Sequence, residues 1–326
     1  MQTHDSDVLA FALAACDRAA RAWLVTIVAT SGSSPRPAGA MLACSDDGRQ
    51  AGSVSGGCVE EDLIARLNAG EFDAQRIARI DYGVSAEENA RLGLPCGGHL
   101  DLIVQSLGPE DGDWLRAVLD ATVERRCVQR RVSLADGSTA LAPLAHFADL
   151  DVGASYLVQS FGPRYRMLLV GAGQLAASLA ELALAMDYEV LVTDPRQDAL
   201  AQWSGPEVPR LSGMPDDVVR LQAADRFSVV ITLTHDPRID DMALMEALES
   251  EAWYVGALGS RRTTEKRLER LQALAIPQEK IDRLQAPVGL DIGSKTPLEI
   301  AVAIMAQLVL LRRRPAQSDP GHQALS

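Results

Sequence analysis

A glycine-rich turn, Gly171 to Gly173, restricts the possible folds of this chain more than any other segment, because it lies between an apolar run and a helical pattern. The run at 166–170 predicts a buried strand, 174–186 predicts a helix, and 189–193 predicts the next strand. A strand, helix, strand rhythm is typical of a parallel sheet with crossover helices. This part of the chain is therefore predicted to be a doubly wound α/β domain.

The turn has the form G-x-G-x-x-A, which is the dinucleotide-binding fingerprint when it joins a strand to a helix. Gly171 permits the tight turn, Gly173 lets the backbone approach a pyrophosphate, and the small Ala176 allows close helix packing. Asp194 ends the next strand and is predicted to accept a hydrogen bond from a ribose hydroxyl, while Arg196 leaves the choice of nucleotide open. A domain that keeps this turn without binding any dinucleotide is the alternative.

Further strand and helix patterns follow the fingerprint at the same rhythm. They predict strands at 227–234 and 253–257, and helices at 241–251, 263–273 and 297–313. We therefore expect a Rossmann-like domain with a parallel sheet at 164–314, followed by a flexible tail at 315–326.

The first half of the chain has a different organisation, in which short strand patterns alternate with glycine-rich loops. Strands are predicted at 23–30, 41–44, 77–82 and 99–107, and a helix follows the glycine pair at 56–57. These elements predict an α/β domain at 1–108. A connecting subdomain at 109–163 is predicted to contain a helix and two paired strands around Asp136-Gly137.

Three polar loops of the first half are predicted to end strands and to converge on one site. Their backbone N–H groups, hydroxyls and one guanidinium suit an anionic ligand that is rich in heteroatoms. A thiol at a helix start, such as Cys58, can have a lowered pKa and act as a soft ligand or nucleophile. The candidate residues are Ser33, Ser34, Arg36, Gly56, Gly57, Cys58, Cys96, Gly97 and Gly98.

The cysteines also have a simpler interpretation, since most cysteines are small buried apolar residues. We predict burial for Cys16, Cys44 and Cys127, and leave both interpretations open for the glycine-flanked Cys58 and Cys96. Five cysteines without a C-x-x-C pair indicate thiols in a reducing cytoplasm and no structural zinc.

Charge and hydropathy exclude several classes of partner. The formal net charge of -13 over 326 residues disfavours binding to nucleic acid and to anionic membranes. The N-terminus shows no basic export signal, and the apolar run at 300–311 is far shorter than the roughly 20 residues that span a bilayer. That run is predicted to cover the Rossmann-like sheet or to form the seam of a homodimer.

Two segments of the first half resemble the signature of the XdhC/CoxI family of accessory proteins. They are SGSSPRPAG at 31–39 and GSVSGGCVE at 52–60, and Cys96-Gly97-Gly98 is similar to a later glycine-flanked cysteine of that family. In the second half, the motifs at 171–173, 234–236, 254–262 and 287–297 resemble the Rossmann domain of the same family. One departure is Gln174, which stands where the family often has histidine.

The resemblance implies a cytoplasmic chaperone for the molybdenum cofactor, which is molybdopterin or its cytosine dinucleotide form. Such a protein receives the cofactor, shields it, presents it to a cysteine desulfurase for sulfuration, and inserts it into an apo xanthine-dehydrogenase-like molybdenum hydroxylase. By resemblance alone, Cys96 is assigned to holding the cofactor at its molybdenum. The target enzyme, the form of the cofactor, the occupancy of the Rossmann site and the oligomeric state stay open.

Two enzymatic alternatives remain beside the chaperone, which is not expected to be an enzyme. One is an NAD(P)-dependent oxidoreductase that binds its dinucleotide at Gly171, Gly173 and Asp194 and uses His235 as a proton donor. The other is a nucleotide-modifying enzyme that acts on the cofactor's tail with CTP or GTP and releases pyrophosphate. The oxidoreductase hypothesis leaves the loops of the first half without a role.

Overall fold

The chain divides into two compact units, Met1–Arg164 and Tyr165–Ser326. Segment 109–163 falls within the first unit, the division at residue 108 stays a prediction, and the predicted tail at 315–326 lies outside the described residues. No helix in the described part of the chain is long and apolar enough to cross a membrane. The computed structural model describes residues 3–31, 36–57, 59–85, 87, 98–145 and 147–313.

A five-stranded antiparallel sheet forms the centre of the first unit. Its order is β3-β2-β1-β5-β4, and helices pack on it. The strands are β1 (Ala22–Ser31), β2 (Met41–Ser45), β3 (Gln50–Gly52), β4 (Ile77–Tyr82) and β5 (His99–Leu107). The described helices are α1 (Thr3–Asp17), α2 (Glu60–Asn68) and α3 (Gly112–Val123), the last preceded by a 3-10 turn at Pro109–Asp111.

Strand β1 is buried on both faces because successive side chains of a strand point to opposite sides of the sheet. Leu24 packs with residues of α1 and α3, whereas Trp23 and Val25 pack with Leu63 and Leu67 of α2. The β-branched, apolar sequence of β1 suits this central position. The sheet is therefore covered by helices on both faces.

A second antiparallel sheet in the first unit has the order β7-β6-β9-β8. Its strands are β6 (Cys127–Ser133), β7 (Thr139–Leu144), β8 (Asp151–Val152) and β9 (Tyr156–Phe161). The pairing of β6 with β7 around Asp136-Gly137 confirms the sequence prediction. Arg130 joins the two sheets, since its buried guanidinium donates to Gln105 of β5 and to Gln159 of β9 and stacks over the ring of Trp114.

The second unit is a doubly wound α/β domain with six parallel strands in the order β12-β11-β10-β13-β14-β15, which confirms the predicted Rossmann-like fold. Its strands are β10 (Arg166–Val170), β11 (Glu189–Thr193), β12 (Arg210–Leu211), β13 (Ser228–Thr232), β14 (Tyr254–Ala257) and β15 (Leu284–Gln285). Its helices are α4 (Gln174–Ala185), α5 (Gln197–Ala201), α6 (Pro215–Gln222), α7 (Pro237–Glu249), α8 (Arg261–Ala273), α9 (Gln278–Ile281) and α10 (Pro297–Arg313).

The helices of this unit lie on both faces of the sheet. One face of β10, with Met167 and Leu169, packs against α4 and α10, and the other, with Leu168 and Val170, packs against α6, α7 and α8. Helix α10 therefore covers the sheet, as one of the two interpretations of its apolar sequence predicted.

Two helix starts lie earlier than the apolar pattern predicted, for a capping reason. Helix α7 begins at Pro237 rather than 241 because the Asp236 side chain accepts from the Arg238 N–H. Helix α8 begins at Arg261 rather than 263 because the Ser260 hydroxyl caps the N–H of Thr263. Capping side chains satisfy N–H groups ahead of the first apolar position, which hydrophobic periodicity does not detect.

Candidate functional site

The carboxyl ends of β10 and β13 form the topological switch point of the second unit. The helix that follows β10 packs on one face of the sheet and the helix that follows β13 packs on the other. The segments that leave these two strands therefore diverge toward opposite faces of the sheet and form a crevice between them. Ligands of open α/β sheets bind in such a crevice. The glycine turn that was selected from the sequence lies at this point.

Gly171 and Gly173 have different roles in the turn. Gly171 has φ +115°, and a Cβ there would lie 2.9 Å from Cγ2 of Thr234, just after β13. Its N–H donates to the carbonyl of Thr193 at 2.7 Å. Gly173 precedes α4 with φ -89°, and a Cβ there would meet nothing within 4 Å. The chain's own packing therefore requires glycine at 171 but leaves the space at 173 open.

This difference predicts that Gly171→Ala lowers the free energy of unfolding of the second unit by about 1 to 3 kcal/mol, because a side chain is strained at this φ and collides with Thr234. Gly173→Ala is the matched control and should cost below about 1 kcal/mol. Hydrogen exchange of peptides from β10 and α4 measures both. Equal losses of unfolding free energy in the two variants would show that glycine is no more strictly required at 171 than at 173.

Asp194, the predicted ribose acceptor, is buried and already bonded within the chain. Its Oδ2 accepts from the Ala172 N–H at 3.1 Å and from Arg196 Nη2 at 2.7 Å, and its Oδ1 accepts from Arg196 N and Nε. Burial acts to raise the pKa of Asp194, but these hydrogen bonds outweigh burial and lower it. Acceptance from a ribose hydroxyl stays a prediction, and it requires Arg196 to share or release the carboxylate.

A buried ion pair supports the segment after β13. Thr234 Oγ1 donates to Asp240 Oδ1 at 2.7 Å, and Asp240 Oδ2 accepts from Arg267 Nη2 of α8 at 3.0 Å. Arg267 also donates to the carbonyl of Leu258 after β14. The guanidinium of Arg267 thus holds the segments after β13 and β14 together. His235 lies in the segment after β13 and is exposed.

In the first unit, the strand register brings the strand ends next to the three glycine-rich loops to one end of the sheet. Ser31, the last residue of β1, pairs with His99, the first residue of β5, and Met41, the first residue of β2, pairs with Thr26. Gly52 ends β3 opposite Leu42. The strand ends that adjoin segments 32–40, 53–59 and 83–98 in the chain therefore lie at the same edge of the sheet.

Glu60, which sequence reasoning did not select, organises the middle loop. Its buried carboxylate accepts from the N–H groups of Val54, Ser55 and Gly57 at 2.9 to 3.0 Å. It also accepts from the hydroxyls of Ser53 and Ser55. Burial acts to raise the pKa of Glu60, but these hydrogen bonds outweigh burial and lower it to about 2. Glu60 is therefore an anion enclosed by its own loop.

The glycines of this loop have the conformation that glycine allows, but their donors have internal partners. Gly56 and Gly57 have φ values of +84° and +121° and are exposed. The Gly56 N–H donates to Ser53 Oγ at 2.9 Å, and the Gly57 N–H donates to Glu60. Donation of these N–H groups to a ligand stays a prediction, and it requires Glu60 or Ser53 to release them.

The other predicted residues of the first unit are described in part. Arg36 is half-buried, and Gly98 is buried where a Cβ at Gly83 would collide with its carbonyl oxygen. The cysteines predicted to be buried are so, namely Cys16, Cys44 and Cys127. Ser33, Ser34, Cys58, Cys96 and Gly97 lie outside the described residues.

The signal for Glu60 was present in the sequence as one of three acids in the first turn of α2. First-turn acids are usually explained by the helix dipole, which does not distinguish one from another. Only the fold shows that Glu60 turns back onto the loop. Among the described residues, no group of three or more His, Cys, Asp or Glu side chains is arranged to hold a metal ion.

The strand order and the glycine turn define a two-unit α/β protein whose second unit has a Rossmann-like fold. Residues 167–308 match the family described as the XdhC Rossmann domain, and residues 15–83 match the XdhC and CoxI family. The chain is 30% identical to the molybdenum cofactor insertion chaperone PaoD of Escherichia coli, over 94% of this chain and 88% of PaoD. This protein belongs to the XdhC and CoxI family.

Two further similarities extend over nearly the whole chain. A Bacillus subtilis protein described as a probable xanthine dehydrogenase subunit is 27% identical, over 90% of this chain and 94% of that protein. A crystal structure described as a xanthine dehydrogenase from Bacillus halodurans superposes with a TM-score of 0.75 and 26% identity, over 97% of this chain and 98% of that one. The similarity to these two relatives therefore extends over nearly the whole length of each of them.

Proposed function

We propose that this chain is a cytoplasmic accessory protein that binds the molybdenum cofactor and delivers it to a xanthine-dehydrogenase-like molybdenum hydroxylase. The observation that carries the proposal is the similarity, over 94% of the chain, to a protein named as a molybdenum cofactor insertion chaperone. The cofactor is the cargo of such a protein, so the chain needs a site that binds it and later releases it.

The first unit is proposed to hold the pterin and molybdenum end of the cargo, with Cys96 at the molybdenum. The strand register supports this, because the strand ends that adjoin segments 32–40, 53–59 and 83–98 lie at one edge of the sheet. A thiolate is a suitable soft ligand for a transition metal. Sulfuration by a cysteine desulfurase precedes insertion in this proposal, and the cargo is molybdopterin or its cytosine dinucleotide.

The second unit is proposed to bind a phosphate or nucleotide group at the turn before α4. The open space at Gly173 supports this, because it lets a ligand approach the backbone closely. The N-terminus of α4 adds positive potential there. The proposal includes a homodimer as the assembled state, which analytical ultracentrifugation of the purified chain tests.

The test of the carrier role is anaerobic purification from cells that make the cofactor, followed by molybdenum and pterin analysis. We expect near-stoichiometric pterin and molybdenum with the native chain, and loss of molybdenum with Cys96→Ala. Cys44→Ala is the matched control, because Cys44 is buried in β2 and burial raises the pKa of its thiol to about 12. The purified chains are then mixed with an apo molybdenum hydroxylase, and its activation is measured.

Two outcomes would contradict this proposal. One is full molybdenum content and full activation with Cys96→Ala, which would remove Cys96 from the site. The other is a native chain without pterin, purified from cells in which a molybdenum enzyme loads normally, which would remove the carrier role.

A nucleotide-dependent oxidoreductase is the second candidate, favoured by the glycine turn and by the exposed His235 at the same edge of the sheet. It predicts hydride transfer from NADH or NADPH that His235→Ala reduces. A nucleotide-modifying activity predicts instead that pyrophosphate is released from CTP or GTP in the presence of the cofactor. Absence of both reactions in a chain that carries pterin favours the carrier.

A further inference from the structure

The second unit contains the same tripeptide twice, at the ends of two different strands. Asp194-Pro195-Arg196 follows β11, and Asp236-Pro237-Arg238 lies four residues beyond β13. In both, the arginine N–H donates to Oδ1 of the aspartate at 3.0 Å. Nε donates to the same oxygen at 2.9 and 3.1 Å, and Nη2 donates to Oδ2 at 2.7 Å in each. The chain thus builds the same arginine-presenting turn twice.

Both arginines line one cavity of about 370 Å³ at the carboxyl edge of the sheet. This volume lies at the lower end of the range for small-molecule sites, which is about 300 to 1,000 Å³. The guanidinium groups are accessible, since the side chains of Arg196 and Arg238 are 56% and 88% exposed. The apolar part of the wall comes from Pro195, Met214, Pro215, Ile239 and Met242.

The internal ion pairs determine what these arginines have left for a ligand. In each turn the Nε and Nη2 edge is bonded to the aspartate, which also balances the positive charge. The aspartate thus takes one of the two bidentate edges of the guanidinium and balances its charge, so each turn attracts a phosphate less strongly than an unpaired arginine would. The flat face of a guanidinium stays available, and it stacks on aromatic rings. Methionine side chains favour the same kind of partner.

A single carboxylate connects this cavity to the glycine turn. Asp194 Oδ2 accepts from the N–H of Ala172, in the turn, and from Arg196, in the cavity wall. A group at the turn and a group in the cavity therefore lie on neighbouring parts of one surface. A nucleotide has the matching construction, with its phosphates and its flat base joined by one sugar.

We propose that this cavity is a base-binding subsite, in which Arg196 and Arg238 stack on the heterocyclic base of a nucleotide whose phosphates lie at the Gly171 to Gly173 turn. This inference rests on the proposed function in one respect only, namely that the phosphates lie at the glycine turn. It adds the class of ligand, a nucleoside diphosphate or a larger nucleotide, and two residues that recognise its base.

The test is calorimetric titration of the full chain with ADP, CDP and inorganic pyrophosphate. We expect at least one nucleoside diphosphate to bind about tenfold or more tightly than pyrophosphate, and the comparison of ADP with CDP separates a purine from a pyrimidine. Arg238→Lys keeps the charge beside Asp236 but removes the flat guanidinium. It should weaken the nucleotide about 2- to 30-fold and leave pyrophosphate binding unchanged. Arg220→Lys, an arginine paired with Glu246 outside the cavity, is the matched control.

The outcomes separate this inference from the proposed function. Pyrophosphate binding with no gain from either base would overturn the base subsite and leave the phosphate site standing. Tighter nucleotide binding that Arg238→Lys and Arg196→Lys leave unchanged would place the base elsewhere and also overturn it. If neither pyrophosphate nor nucleotide binds, the phosphate site of the second unit fails together with the subsite.

Discussion

Replacing Arg267 by methionine should lower the free energy of unfolding of the second unit by about 3 to 5 kcal/mol, because it leaves a buried carboxylate without its partner. Arg267 and Asp240 are 5% and 1% exposed, and their side chains are joined at 3.0 Å. Methionine keeps much of the apolar volume, so the loss reports the charge rather than the packing. The segments after β13 and β14 should lose protection together, since Arg267 bonds to both.

Hydrogen exchange of peptides from α7 and α8 measures this loss. Arg220→Met is the matched control, since Arg220 is half-exposed and its pairs with Glu246 and Asp217 should contribute about 1 kcal/mol or less. A loss for Arg267→Met no larger than that for Arg220→Met would show that the buried pair does not hold these segments.

The pH dependence of this variant gives a second readout. Burial raises the pKa of Asp240 to about 6, above its ordinary 3.8, although Thr234 and Arg267 limit the rise. A carboxyl whose pKa is raised by folding contributes stability that is present below about pH 4 and is lost as the pH rises through the folded pKa. Without Arg267 the pKa rises further, so the deficit of Arg267→Met should shrink between about pH 7.5 and pH 5, where Asp240 becomes protonated.

Replacing Glu60 by glutamine should destabilise the first unit by about 2 to 4 kcal/mol, because the amide loses charge-assisted hydrogen bonds and turns an NH2 group toward donors. The N–H groups of Val54, Ser55 and Gly57 all depend on this carboxylate. Peptides that cover 50–68 should exchange faster in the variant. Glu61→Gln is the matched control, since Glu61 is the adjacent residue in the same turn and is exposed.

In the first unit, the stability contributed by Glu60 changes with pH in the opposite direction to that contributed by Asp240 in the second unit. The folded pKa of Glu60, about 2, lies below its ordinary 4.5. A lowered pKa contributes stability that is present above about pH 4.5 and is lost as the pH falls toward the folded value. In the native chain, residues 50–68 should therefore become less protected from hydrogen exchange as the pH falls over this range. In Glu60→Gln, the protection of these residues should not depend on pH in this way. An unchanged acid profile in the variant would assign the dependence to another group.

Local spacing was sufficient to predict the second unit in outline. The strands around the glycine turn are short apolar runs next to a helical pattern, and neither requires knowledge of distant contacts. The two-residue strands β12 and β15 were not predicted, because so short a strand is defined only by the neighbour it pairs with. Gly171 was predicted for its turn, but its contact with Thr234 depends on β13 lying next to β10.

The candidate sites depend more strongly on tertiary structure. The sequence contains Asp-Pro-Arg twice, but only the strand order β11-β10-β13 brings the two arginines to one cavity. Asp194 was predicted to be available for a ribose, whereas the fold places Arg196 and Ala172 on its oxygens. In the first unit, Glu60 looked like an ordinary first-turn acid, whereas the fold turns its carboxylate onto N–H and hydroxyl donors of the preceding loop.

The dinucleotide-type fold of the second unit, the glycine turn at its switch point and the family resemblance could all be inferred from the amino-acid sequence, and the comparisons confirm the family. These features are local, since they depend on periodicity and on residues within about one turn of each other. Which side chains meet was decided in the folded chain, namely Asp240 with Arg267, Glu60 with its loop, and Arg196 and Arg238 at one cavity. Strand order and register set such contacts, and both are fixed by the packing of distant segments, which no local pattern reports.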